Sequence, residues 1–167
     1  MKKLSFGQTL LEVVFAVGVL ALIGTAVVAL STLSVRNNSF AKNKTKANKY
    51  TQEAMEWIKQ QKEDRWQNIW PHAGNSTEKK YCLSCLEDFD PGCTATWSNS
   101  EKSCDLVDPS DNIAGTIYDR EIWLLRGGGA GCTNNTCFTA TAVLYWTDGQ
   151  GVHDVQSKSI FTNWGGL

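Results

Sequence analysis

Proline is scarce in this 167-residue chain, three in all, and none stands before Pro71. The long N-terminal stretch therefore carries none of the residues that most readily break a helix. Histidine is limited to His72 and His153, and neither has a Ser or Cys at a spacing that resembles a catalytic triad. Neither sign of charge is in excess: 16 basic residues stand against 17 acidic ones, for a net charge of -1. That balance excludes a generic nucleic-acid-coating protein and gives no reason to expect an acidic substrate. No internal repeat occurs, and 18.4 kDa is enough for one globular unit but not for two independent cores.

The mean hydropathy of -0.27 averages two unlike regions. From Leu10 to Leu30 the sequence reads LLEVVFAVGVLALIGTAVVAL, in which Glu12 is the sole charge, and the next charge is Arg36. As a helix rising about 1.5 Å per residue, this stretch covers roughly 31 Å, matching the roughly 30 Å hydrocarbon core of a bilayer. A buried central helix is one competing reading, but a helix apolar on every face needs protein all round it, and the remaining chain is small and polar. A removable secretory signal is the other. The run is longer than a usual signal h-region and no small-residue cleavage site follows it, so the segment is expected to stay attached.

Beyond Arg36, the stretch FAKNKTKANKYTQEAMEWIKQQKEDRW lacks Gly and Pro, and Phe40, Ala47, Tyr50, Ala54, Trp57 and Ile58 recur mainly at spacings of three, four and seven. This pattern predicts an amphipathic helix. Continuous with the span, it would give a helix from Gln8 to about Trp66, roughly 88 Å long, which no single small globule covers. From Tyr118 the period changes. YDREIWLLR and FTATAVLYW alternate, with Phe138, Ala140, Ala142, Leu144 and Trp146 on one face and Thr139, Thr141, Val143 and Tyr145 on the other. A turn signal over Thr147 to Gly151 precedes a third extended run from Val152 to Thr162. The expectation is an α+β fold: a long N-terminal helix, half transmembrane and half amphipathic, packed on a C-terminal antiparallel sheet. The Ser, Asn, Asp and Cys-rich stretch between Trp66 and Ile117 reads as loop.

All six cysteines, Cys82, Cys85, Cys93, Cys104, Cys132 and Cys137, lie in the distal region. An even number at close spacings is expected of an oxidising compartment. The basic residues Arg36, Lys42, Lys44, Lys46 and Lys49 pull the other way, because positive charge after a span favours a cytoplasmic C-terminal region. The cysteines are given the greater weight, and the basic run then reads as a solvated helix face. Contact with nucleic acid is disfavoured, since only Phe40 and Tyr50 are interleaved with it. Zinc is the rival for Cys82-x-x-Cys85, with His72 and Cys93 near, but a zinc ribbon needs a second matching pair. Disulfides are favoured, with Cys132 to Cys137 closing a Thr-Asn-Asn-Thr turn; six cysteines allow 15 connectivities in all.

Other chemistry is thin. Gly127, Gly128, Gly129 and Gly131 are not followed by Lys-Ser/Thr and read as a connector, not a phosphate loop. Asp105, Asp108 and Asp111, or Asp88 and Asp90, lack EF-hand order and read as solvated loop carboxylates, with calcium as the alternative. Trp57, Trp66, Trp70, Trp97, Trp123, Trp146 and Trp164 read as core and sheet packing. No catalytic group, metal site or cofactor is expected, and the chain does not read as an enzyme.

The N-terminus carries a resemblance. Lys2 and Lys3 form a short basic head that ends at Gly7, and Gln8, Thr9, Leu10, Leu11 and Glu12 lead into the apolar run. This arrangement resembles the type IV prepilin signature: a positive leader ending in Gly, a cut before the hydrophobic segment, and Thr and Glu as second and fifth mature residues. The family usually has Phe or Met as its first mature residue, where this chain has Gln8. The resemblance implies cleavage between Gly7 and Gln8 by a prepilin peptidase, with N-methylation of Gln8 the weaker implication. It also gives Thr9 and Glu12 assembly roles, the Glu12 carboxylate meeting the new amino terminus of a neighbouring subunit. The ending, from Val143 to Gly149 and from Ile160 to Trp164, is similar to minor-pilin tails. The organisation implied is a leader at 1–7, a transmembrane and filament-core helix at 8–33 and an amphipathic half at 34–66. An exported domain at 67–167 follows, with a Cys-rich loop at 82–104 and a sheet at 117–162.

The expected protein is thus a structural pilus subunit, of the minor-pilin kind, with other pilin subunits, the peptidase, the assembly machinery and membrane lipid as partners. It would begin as a single-pass precursor in the inner membrane, amino terminus cytoplasmic, and end in a pilus or pseudopilus. A type II secretion or competence pseudopilin is the alternative within the class. A bitopic anchor displaying an exported binding domain or enzyme is the alternative from outside it.

Overall fold

The computed structural model describes residues 6–86, 102–108, 110–127 and 136–163. One continuous helix, α1, spans Phe6–Asp64, and the chain divides into two units, Met1–Asn43 and Lys44–Leu167.

In the first unit the side chains from Leu10 to Val35 are exposed, Leu10 at 70%, Phe15 at 73% and Leu22 at 72%. The absence of proline lets the backbone satisfy its own hydrogen bonds, as a segment in hydrocarbon must. The few hydroxyls are satisfied in the same way: Thr25 Oγ1 donates to the Leu22 carbonyl at 2.9 Å, Ser31 Oγ to Val27 at 2.9 Å and Thr32 Oγ1 to Val28 at 2.8 Å. Among the described residues this is the one helix long and apolar enough to cross a membrane.

In the second unit α1 buries one face. Ala47, Thr51, Ala54, Trp57 and Ile58 are almost fully removed from solvent, the three- and four-residue spacing expected of an amphipathic helix. Arg65 takes an extended conformation and ends α1; a single-turn helix α2 (Trp66–Ile69) and a 3-10 turn (Trp70–His72) follow. Four strands come next: β1 (Lys79–Cys82), β2 (Tyr118–Arg126), β3 (Cys137–Asp148) and β4 (Gly151–Thr162). They form one sheet in the order β1-β2-β3-β4 with every pair antiparallel.

The fold is therefore α+β, with the long N-terminal helix packed on a four-stranded antiparallel sheet. Ala54, Trp57 and Ile58 share one core with Tyr81, Ile122, Leu124, Phe138, Ala140 and Ala142. The β3 face anticipated from its alternation is the face that meets the helix. The core combines small residues, Ala54, Ala140 and Ala142, with the large Trp57 ring. The hairpin from β3 to β4 closes with Asp148 opposite Gly151, where a φ of +125° suits glycine. Gln150 N donates to Asp148 Oδ1 at 2.8 Å and fixes the turn.

One expectation fails in the stretch between Trp66 and Ile117. It is not loop throughout, since it contains α2, the 3-10 turn and β1. β1 is only four residues long, too short to show a period, and its strand character comes from partners distant in sequence: Tyr81 opposite Ile122 and Lys80 opposite Trp123.

Candidate functional site

The sequence singles out the start of α1. The helix already begins at Phe6, so Gly7, Gln8 and Thr9 have helical backbone, and their side chains lie outside the described residues, as does the whole of 1–5. A carboxylate in the first turn of a helix is favoured by the macrodipole. With the helix starting at Phe6, the first turn of α1 contains no acidic residue, and Glu12 stands beyond the reach of that effect. Glu12 is exposed and has no ion-pair partner among the described residues. Leu10, Leu11, Val13, Val14 and Phe15 beside it are all exposed, and none of them offers the carboxylate a polar side chain.

The cysteines form bridges. Cys82, at the end of β1, is bonded to Cys104, and Cys85 and Cys137 are also disulfide-bonded. No described cysteine is free, and no described cluster of His, Cys, Asp or Glu has the arrangement of a metal site. Cys137 was expected to pair with Cys132; Cys132 and Cys93 lie outside the described residues. The Cys82–Cys104 bond sits beside a short backbone bridge, Cys82 N to Lys102 O at 2.9 Å and Lys102 N to Lys80 O at 3.0 Å, so the segment returning from the loop is held along β1.

The aspartates after Cys104 serve the loop itself. Asp105 Oδ1 accepts from Val107 N at 3.0 Å and Asp108 Oδ1 from Ser110 N at 2.9 Å. Asp111 accepts from Asp105 N at 2.8 Å and from Lys102 Nζ at 3.0 and 2.8 Å through its two oxygens. These bonds hold the Asp108 and Asp111 carboxyls below the usual carboxylate range, backbone donors contributing most. Asp88, Asp90 and the glycines Gly128, Gly129 and Gly131 lie outside the described residues.

Sequence reasoning missed a buried acidic pair on β2. The alternation of YDREIWLLR places Asp119 and Glu121 on the face away from the helix, yet both are about 96% buried, with exposures of 4% and 3%. Glu121 Oε2 accepts from Trp123 Nε1 at 2.7 Å and from Tyr145 OH at 3.4 Å, while Glu121 Oε1 and Asp119 Oδ1 are buried without a hydrogen-bond partner. Burial, with Asp111 and Asp105 nearby, pushes the Asp119 carboxyl up to about 6. Burial and the Glu121 carboxylate push the Tyr145 hydroxyl up to about 12. The signal in the sequence was Trp123, two residues after Glu121, and Tyr145 on β3, large side chains on the same face as the two acids.

Neither histidine joins a catalytic arrangement among the described residues. His72 packs edge-on against Tyr81 at 5.6 Å, and His153 meets Asp148 at 2.9 Å beside the hairpin turn. The tryptophans act as packing groups: Trp57 and Trp146 are buried, Trp66 stacks on Trp70 at 5.2 Å and contacts Phe138 at 5.2 Å, and Trp97 and Trp164 lie outside the described residues. Comparison with protein-family models, with curated proteins and with solved structures found no match.

Proposed function

We propose that this chain is a structural subunit of a type IV pilus, of the minor-pilin kind, cut between Gly7 and Gln8 and assembled through its N-terminal helix. The observation that carries the reading is the exposed apolar surface of α1 from Leu10 to Val35 with one carboxylate, Glu12, near its start. A purely passive anchor gains nothing from a charge in that position, which costs insertion free energy. A filament subunit uses it: cleavage creates an amino group on Gln8, and Glu12 of a neighbouring copy supplies its counter-charge in a low-dielectric setting. The bonded cysteines support export of the second unit to an oxidising compartment, against the vote of the basic residues after the span.

The N-terminal residue and mass of the protein isolated from cells test the reading. The mature chain should begin at Gln8, and Gly7→Val should accumulate as full-length precursor in the membrane. A native chain starting at Met1, or normal processing of Gly7→Val, refutes it. Localisation with and without a secretion system separates a pilus subunit from a pseudopilin.

A further inference from the structure

β4 is the last strand of the sheet, paired with β3 along its 12 residues without a bulge, and among the described residues no strand pairs with its other edge. It contains no proline. The hairpin closes with Asp148 opposite Gly151 across a two-residue turn, which makes that pair a hydrogen-bonded one. The alternation then gives the backbone groups of the odd residues of β4 to β3. Those of Val152, Asp154, Gln156, Lys158 and Ile160 point outward from the sheet edge. The side chains of these five stand on the face opposite α1, since the odd residues Phe161, Ser159 and Ser157 are the ones aligned with Phe138, Ala140 and Ala142 of the core. All five are exposed, Val152 at 59% and Ile160 at 48%. Asp154 and Lys158 have no ion-pair partner among the described residues.

A straight, exposed edge of this length is a template for one more strand. We propose that the strand it takes is β4 of a second copy of this chain, laid antiparallel about a two-fold axis through Gln156. In that register Gln156 faces its own counterpart, Asp154 faces Lys158 twice and Val152 faces Ile160 twice. About ten backbone hydrogen bonds then join the two sheets into one. Other registers lose these matches. An axis at residue 154 or 158 sets Asp154 on Asp154 or Lys158 on Lys158. An axis at 155 puts Asp154 against Gln156 and Lys158 against Val152, and an axis at 157 puts Lys158 against Gln156 and Asp154 against Ile160. Charges on an edge strand ordinarily keep other strands away. Here they reject the neighbouring registers and favour the one that pairs them.

The contact differs from packing within a filament. Tyr50 lies against Tyr118, near the hairpin end of β4, and Trp66 lies against Phe138, near the other end, so the second half of α1 runs in the same sense as β4. The two-fold axis therefore reverses that segment between the two copies. Copies that share one membrane or one filament enter in the same sense, so the pairing joins subunits of separate assemblies.

The test follows dimerisation of the full chain in detergent by sedimentation. A photo-crosslinking residue at position 156, in chains mixed with isotope-labelled copies, should capture the partner between residues 152 and 160; capture elsewhere overturns the proposal. Asp154→Lys should weaken the dimer about tenfold, and so should Lys158→Asp, because each variant sets two like-charge pairs opposite one another. An equal mixture of the two variants should dimerise as wild type does, since every pair is then opposite in sign, and that recovery shows that both fold. Gln156→Pro, which removes an outward N–H and no bond to β3, should abolish the dimer with little change in melting temperature. A wild-type chain that stays monomeric, a dimer indifferent to Gln156→Pro, or a mixture that does not recover overturns the proposal. None of these readouts depends on leader cleavage or filament entry, so the pilus reading stands or falls separately.

Discussion

Asp119 offers a test of how the buried face of the sheet is built. Its carboxyl is buried, one oxygen lacks a partner, and its pKa is pushed from 3.8 up to about 6 by burial first and by Asp111 and Asp105 second. In the unfolded chain it titrates near 3.8. Below both values the proton is bound in each state and pH has no effect through this group. Between them the folded protein keeps the proton that the unfolded chain has released, so stability falls as pH rises from about 4 to about 6 and stays reduced above. At 1.36 kcal/mol per unit, a shift of roughly two units corresponds to at most about 3 kcal/mol, and water reaching the edge of the site lowers that figure. Replacing Asp119 by Asn removes the charge and keeps the shape. The variant should therefore be more stable than wild type by about 2 kcal/mol at pH 7.5 and equal to it at about pH 3.

The comparison must be made as variant minus wild type at each pH. His72 is held below its usual 6.5 by burial and by Lys79, so its contribution runs oppositely, stability falling as pH drops through that region. It cancels in the difference. Asp108 and Asp111, depressed below 3.8, lose their contributions only at more acid pH. Guanidinium unfolding of the full chain in detergent, followed by tryptophan fluorescence, supplies the free energies. If Asp119→Asn is less stable than wild type at both pH values, or the difference does not change with pH, the charged carboxylate is not a burden on the fold and the reasoning is wrong.

Glu12→Val should be cleaved and inserted normally yet enter sheared filaments poorly, with Glu12→Asp intermediate; wild-type levels of Glu12→Val in filaments remove the carboxylate from the assembly mechanism. Replacing Cys82 and Cys104 together by Ser should lower stability by about 3 kcal/mol, the chain-entropy value for a loop of this length, and leave leader processing unchanged; an unaltered melting temperature counts against the bond's role. Gly74→Ala should destabilise by about 1 to 3 kcal/mol, because an added Cβ would lie 1.9 Å from the Thr77 carbonyl oxygen while Gly74 is tied to β2 through Leu124 O and Arg126 N. A Gly74→Ala chain as stable as wild type would mean that this turn yields freely.

The elements legible in the sequence are those whose pattern is long and local. The helical spacing of Ala47, Ala54, Trp57 and Ile58 and the strict alternation from Phe138 to Trp146 each repeat several times, and both faces were assigned correctly. β1 was invisible because four residues show no period and its pairing depends on β2, about forty residues away. Arg120 shows a different limit. It lies on the helix-facing side of β2 beside Leu144 and is fully buried, where its Nε donates to the Leu83 carbonyl at 3.2 Å. An arginine in an alternating run says nothing about such a partner, since the acceptor belongs to a distant irregular segment. At the N-terminus the relation reverses: Gly7, Thr9 and Glu12 are conspicuous as a motif, while among the described residues Glu12 has no ion-pair partner that would explain it.

The Cys82–Cys104 bond also bears on how freely this chain can change over generations. It closes a ring whose two ends are fastened to β1, and in the oxidised chain the ring stays closed when the fold is lost. Lengthening an open surface loop twofold costs only about 0.6 kcal/mol, and a ring sealed in both states is charged less than that. Insertions after Leu86 and before Lys102 should therefore cost the sheet little as long as the cysteines stay, whereas Leu83 and Leu86 are buried in the core and Leu83 O accepts from Arg120 Nε. The chain can take on new sequence there without altering the core that joins α1 to the sheet.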